Sequence, residues 1–482
     1  MNMIAIGGAI GTGIFLASGY SISTAGPAGS LLAYAVIGIM VYFVMTSLGE
    51  LATYMPVPGA FGVYGTKFVE KSFGFALGWN YWFSWAITIA VELAAGAIIM
   101  KFWFPDVPGW IWCIVFLALI LFINLLSARA YGEGEFWFAG IKVAAVIVII
   151  VVGLCVLIGL FGQSPGMSNW TLNVPPPADP NSAAAFGKAP FVGGFGSILA
   201  IFLIAGFSFQ GTEIVGVAAG EGENPEKNVP KAINSVFWRI LLFYILLIFV
   251  IGTIIPFNNP DLLSSDPTAI AKSPFVIILQ LAHFKWAANV MNFVVLTSVL
   301  SCGSSSIYSS SRLIYSLAKQ GSAPKIFAKV SSHGVPAAAI LITAAVGLFS
   351  LTQIFWPDNL VYTWLLNASG TTGFIIWMGI STCHWRFRRS FLAQGHSLSE
   401  LKYKAKWYPL GPIFALILSA VAVLGQNVPA IQTGDWYNVA AAYVSIPVFV
   451  GCYVIHKIVT KSKIIPLKDV DLDPTHVPNI SR

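Results

Sequence analysis

Apolar runs long enough to cross a bilayer follow one another along almost the whole chain, and this leaves few folds open. One helical span takes roughly 20 residues, and such runs fall at about 4–24, 29–53, 75–101, 109–128, 134–161, 194–219, 234–256, 286–317, 335–355, 360–384, 408–426 and 438–458. Hydrocarbon offers no partner to a free amide, so segments of this length cross as helices. Only 9% of the 482 residues are charged and the mean hydropathy is +0.79, whereas a soluble globule carries about 25% charged residues. The expected fold is therefore an all-α integral membrane protein of twelve transmembrane helices.

The placement of charge orients it. The net charge is +7, and 21 of the 26 lysines and arginines lie in alternate loops or at helix ends that share one side if the N-terminus is inside. By the positive-inside rule both termini face the cytoplasm, and the basic excess meets anionic lipid, not nucleic acid. The first run lacks a basic leader and is followed by eleven more, so it reads as a span and not a signal peptide. Five cysteines (Cys113, Cys155, Cys302, Cys383, Cys452) sit in or beside apolar runs without CxxC or metal-ligand spacing and read as small buried hydrophobes.

Two spans carry helix breakers at their middle. Gly7-Gly8-Ala9-Ile10-Gly11-Thr12-Gly13 interrupts the first and Gly206-Phe207-Ser208-Phe209-Gln210-Gly211-Thr212-Glu213 the sixth, with nine Gly, Ser or Thr between them. Irregular backbone survives at membrane depth where it lines a cavity. Opening the first span exposes the amides of Ile10, Gly11, Thr12 and Gly13 at a positive helix end, which suits a carboxylate. Opening the sixth frees the carbonyls of Phe207, Ser208 and Gln210, which suits an ammonium group. Together they describe an α-amino acid site, with Phe207 as its lid; the alternative is that the glycines only let helices pack closely. From Gly13 to the turn at Ala25-Gly26-Pro27 is about half a bilayer, so the inner half of the first span starts almost at Met1 and a short preceding segment is expected. An offset of five spans between the breaks predicts an inverted repeat, about 4–161 and 194–384, with two added helices at about 408–458 and a polar tail at about 463–482.

Ionisable groups within spans are costly and mark function. They are Glu50 at the inner end of the second span, Glu92 in the third, Lys142 in the fifth, and Glu213 with Glu221 on the sixth. Lys142 either snorkels to the inner surface or points into the bundle beside the first break, where it replaces a coupling sodium ion, with Glu92 or Glu213 as partner. Glu213 either responds to protonation or to a cationic substrate, or anchors the helix break. Glu221 reads as an inner gate residue. The hydroxyls of Ser301, Ser304, Ser305 and Ser306 either coordinate an ion, solvate Lys142 or pack helices. Pro274 to Leu281 reads as an outer gating helix, the 162–193 loop as surface, and the tail after Lys463 as mobile. Histidines are scattered, with no HExxH, P-loop or Ser-His-Asp grouping, so neither an enzyme nor a metal centre nor a cofactor is expected.

Beyond these readings, the chain resembles a family. The run Gly7 to Phe15, Gly49-Glu50 with Tyr54-Met55-Pro56, Phe207 to Glu213, and Ala219-Gly220-Glu221 through Asn224-Pro225 to Pro230-Lys231-Ala232 are similar to the amino acid permeases of the amino acid, polyamine and organocation superfamily. Gly74 to Trp82, Trp364 to Gly370 and Gln210 resemble its lysine-specific members. It departs from their pattern at Ser304, where Asn is frequent, and at Glu92, where Asp stands. The resemblance implies a leucine-transporter-type fold of five plus five helices and two more, alternating access in a bacterial inner membrane, and uptake of an amino acid, L-lysine, driven by the proton gradient, with Lys142, Glu92 and Glu213 in proton coupling. An exchanger of basic amino acids and a lysine sensor acting on a membrane partner through the loop bearing Asp261 and Asp266 stay open beside it.

Overall fold

The computed structural model describes residues 11–57, 59–126, 128–176, 186–214, 216, 224–262, 272–331 and 335–476. It is predominantly helical. The chain opens with a single turn, α1 (Thr12–Phe15), then α2 (Ala17–Tyr54), α3 (Ala60–Phe68), α4 (Lys71–Met100), α5 (Gly109–Leu126) and α6 (Ala128–Leu157). A loop with a two-residue hairpin, β1 (Asn173–Val174) against β2 (Gly187–Lys188), leads to α7 (Gly194–Ala200) and α8 (Phe202–Phe209). Then come α9 (Pro225–Arg239), α10 (Leu246–Ile254), α11 (Pro274–Leu281), α12 (Lys285–Lys319), α13 (Ala337–Gly347), α14 (Asp358–Ala393), α15 (Leu410–Gly425), α16 (Val428–Thr433), α17 (Trp436–Tyr443) and α18 (Ser445–Thr460). Among the described residues six helices are long and apolar enough to cross a membrane, seven if α17 and α18, bent by 50°, form one span. Three shorter apolar helices accompany them. This is a multi-pass membrane protein.

The Gly26-Pro27 turn falls where the sequence places it. The long helix from Ala17 to Tyr54 is kinked at Gly26 (φ +73°), so α2 holds the end of one expected span and all of the next. The kink receives the outer loop: Val192 N–H donates to the Ala25 carbonyl at 3.0 Å, and Ala28 N–H to the Pro190 carbonyl at 3.1 Å.

At the centre stands α4, whose residues from Ser84 to Met100 are all buried, as an almost wholly apolar helix must be when neighbours surround it. It packs against α12, α14, α3, α5, α18 and α13. Near the C-terminal end of α2 Glu50 is fully buried and is held by the Arg388 guanidinium, with Nε at 2.6 Å, and by the Ala405 amide at 2.7 Å. This pairing accounts for an acid in an apolar environment, where an unpaired charge would be prohibitive.

The tail corrects an expectation. Residues 462–476 do not wander; they cross one end of the helix bundle as an extended strap. Ile465 N–H donates to the Val69 carbonyl at 3.0 Å, Gln394 to the Val470 carbonyl at 2.8 Å, Tyr54 hydroxyl to the Leu472 carbonyl at 2.5 Å, and Lys67 to the carbonyls of Asp473 and His476. Its own Val470 and Leu472 are buried. These apolar side chains and the donors waiting at the end of α2, on α3 and just past α14 offset the entropy that a polar composition alone would keep.

Candidate functional site

Helical geometry is interrupted at Leu16 and stops after Phe209, beside one cavity. At the first break Gly11 is extended (φ −129°, ψ −150°), α1 makes one turn, and Leu16 is non-helical again. Glu92, on α4, enters there: its Oε1 accepts from the Thr12 amide at 3.4 Å and the Thr12 hydroxyl at 3.3 Å. A Cβ at position 11 would stand 2.5 Å from that oxygen, and one at position 13 would stand 2.7 Å from the Ser208 Cα. Close packing and an open backbone are thus the same feature here, since only glycine lets the acid and the second broken segment approach.

At the second break α8 ends at Phe209, Gln210 turns out of the helix (φ −58°, ψ 151°) and Gly211 has φ +87°. Both Glu213 carboxylate oxygens accept from the Gly211 amide, at 3.2 and 3.1 Å, and Oε2 accepts from the Trp377 indole at 3.5 Å. Gln210 Nε2 donates to the Ser369 carbonyl at 2.9 Å, and the Ser369 hydroxyl lies 2.8 Å from that of Thr88. One expected acceptor is engaged: the Phe207 carbonyl takes the Gln210 amide at 3.2 Å, because the last helical turn tightens to satisfy itself.

Between the breaks lies a cavity of about 30 Å³ lined by Gly11, Gly13, Glu92, Phe207, Ser208, Gln210 and Glu213. It is a small space, and Phe207 is among the side chains that bound it. Lys142 is fully buried and within electrostatic reach of Glu92; it does not snorkel. Ile10 and Glu221 lie outside the described residues. On α12, Ser304 accepts from Asn124 at 2.9 Å and Ser306 donates to the carbonyl of Cys302, so these two hydroxyls serve helix contacts.

Sequence reasoning missed Ser84, Trp85 and Thr88 on α4, Cys302 on α12 and Ser369 on α14; the first four line the cavity. A signal was present in part: Ser84, Thr88 and Glu92 recur every fourth residue, one polar line on an apolar helix. Cys302 and Ser369 carry none.

A family model described as amino acid permease matches residues 1–467. The chain belongs to the amino acid permease family. Similar curated permeases include the lysine-specific permease LysP of Escherichia coli K12, 52% identical over 464 residues and covering 95% of this chain and 92% of that one. LysP of Lactococcus lactis is 49% identical, covering 98% and 91%. The histidine permease HisP of the same organism is 47% identical, covering 98% and 96%. The permease thus shares nearly its whole length with amino acid permeases, two of them named for lysine and one for histidine.

Proposed function

We propose that this permease imports L-lysine together with protons across the bacterial inner membrane, by alternating access through twelve spans with both termini cytoplasmic. The observation that carries the reading is the cavity itself: two breaks in helical geometry face each other, with one buried acid, Glu92 or Glu213, at each. In this reading the Gly11 and Gly13 amides with Ile10 meet the substrate carboxylate, the Thr12 amide joining them when Glu92 releases it, and Phe207, Ser208 and Gln210 border its ammonium end. Lys142 and Glu92 exchange the coupled proton. Glu213 faces the side-chain charge while holding the second break, and Glu221 serves at the inner end of that span. The relatives named for lysine support the substrate.

The repeat organisation, about 4–161 and 194–384 with two added helices at about 408–458, follows from the same pairing of breaks, and α11 closes the outer path. No cofactor is needed; the proton gradient drives uptake and lipid surrounds the bundle. Of the outer-loop acids considered for a sensor partner, Asp261 is occupied by Lys272 at 2.9 Å, and Asp266 lies outside the described residues.

The test is uptake of labelled lysine into proteoliposomes at fixed membrane potential, with and without an inward proton gradient, challenged by excess arginine, ornithine, histidine and alanine. Gradient-driven accumulation blocked by lysine alone is the expected result. Block by histidine or arginine moves the substrate, and stimulation only by substrate loaded inside makes it an exchanger.

A further inference from the structure

The single turn α1 is held at both ends by side chains from elsewhere. Its first residue, Thr12, is bound by Glu92. Its last, Phe15, has a carbonyl outside the helical ladder, because the Gly19 amide donates to the Leu16 carbonyl at 3.0 Å. That carbonyl accepts the hydroxyl of Ser273 at 2.6 Å.

Ser273 is buried and is the N-cap of α11, where its oxygen also accepts from the Phe275 amide at 3.3 Å. Around this link the fit is close. The Phe15 and Phe275 rings meet edge to face at 4.9 Å, and a Cβ at position 19 would lie 3.2 Å from both Pro274 and Leu262.

We propose that the Ser273 hydroxyl is the positioning link through which the turn at the substrate site holds α11 shut. The proposal rests on the reading of α11 as the outer gate. A shift of Thr12 relative to Glu92 moves a rigid turn only four residues long, and the carbonyl at its other end moves with it. A hydrogen bond is directional and short, so the displacement breaks it. The event at the acid is thereby transmitted to the gate without passing through a long helix. The rings supply area to the seal, and the hydroxyl supplies its dependence on α1.

The experiment uses the native Cys302, which lines the cavity. In right-side-out membrane vesicles, its modification by a membrane-impermeant thiol reagent, read by peptide mass spectrometry, reports how often the outer path opens. Ser273→Gly removes the donor while keeping a nearly neutral N-cap; Ser273→Thr keeps both functions. The expected result is Cys302 labelling about fivefold faster in Ser273→Gly, the population shift that one neutral hydrogen bond carries, with a melting temperature lowered by a few degrees at most, and wild-type labelling and melting in Ser273→Thr.

Labelling of Ser273→Gly at the wild-type rate, while Phe275→Ala labels faster, overturns the link and leaves the gate. Equal acceleration in the Gly and Thr variants also overturns it, since the hydroxyl is then not the cause. No acceleration in any of the three removes the gate reading on which the proposal stands.

Discussion

The two breaks are built in opposite ways. The break at the end of α8 is closed largely by its own side chain: Glu213 folds back onto the Gly211 amide two residues earlier. Among the described residues α1 has no such local side-chain cap. Its amide and carbonyl are held by Glu92, 80 residues away, and by Ser273, 258 residues away. A self-capped break keeps its shape when its neighbours move, whereas one capped from elsewhere changes shape with them. The pair thus combines a fixed wall and a movable one around the same cavity.

The strongest way to break this contrast is at the movable side. Lys142→Met and Glu92→Gln each remove one of two buried ionisable groups that feel each other's charge; accumulation driven by a pH gradient is expected to vanish in proteoliposomes. Undiminished accumulation in either variant would take that residue out of proton coupling. Next is Gly13→Ala, whose methyl meets the Ser208 backbone. Overpacking of this kind costs about 1–3 kcal/mol, and lysine uptake is expected to fall at least tenfold. Gly11→Ala meets instead the tips of Glu92 and Cys302, which can turn aside, so its initial uptake rate should be the better preserved.

At the fixed side the effects are smaller and appear as stability. Glu213→Ala leaves the Gly211 amide unpartnered, at about 1–3 kcal/mol, while Glu213→Gln retains an acceptor; thermal melting in detergent should drop for the first and change little for the second. Equal losses would mean that charge, not the cap, matters there. The smallest effect belongs to Gln210→Ala, which gives up the bond to the Ser369 carbonyl, worth about 1 kcal/mol, and is expected to lower the melting temperature by a few degrees at most.

Local chemistry was what the sequence made legible. The end of α8 at Phe209, the kink at Gly26 and the start of α11 at Pro274 all follow from glycine and proline, whose backbone preferences act within a residue or two. The acids could be singled out because a charge is conspicuous in an apolar run. Which groups meet them could not: Ser369 and Cys302 are unremarkable on their own helices and acquire a role only when α14 and α12 are laid against α8 and α4. The same limit explains the tail, whose polar composition is that of a solvated segment, while the donors that hold it belong to Tyr54, Lys67 and Gln394, far away in the chain.

That strap has a consequence for assembly. It is translated after all the described helices, and until it docks, Lys67, buried in the finished protein, and the backbone groups at Val69 lack the partners they will have. The end of the bundle that the strap covers therefore stays open until it docks. A chain cut short at residue 461 would carry every one of those helices and still lack the acceptors that Lys67 finds in the strap.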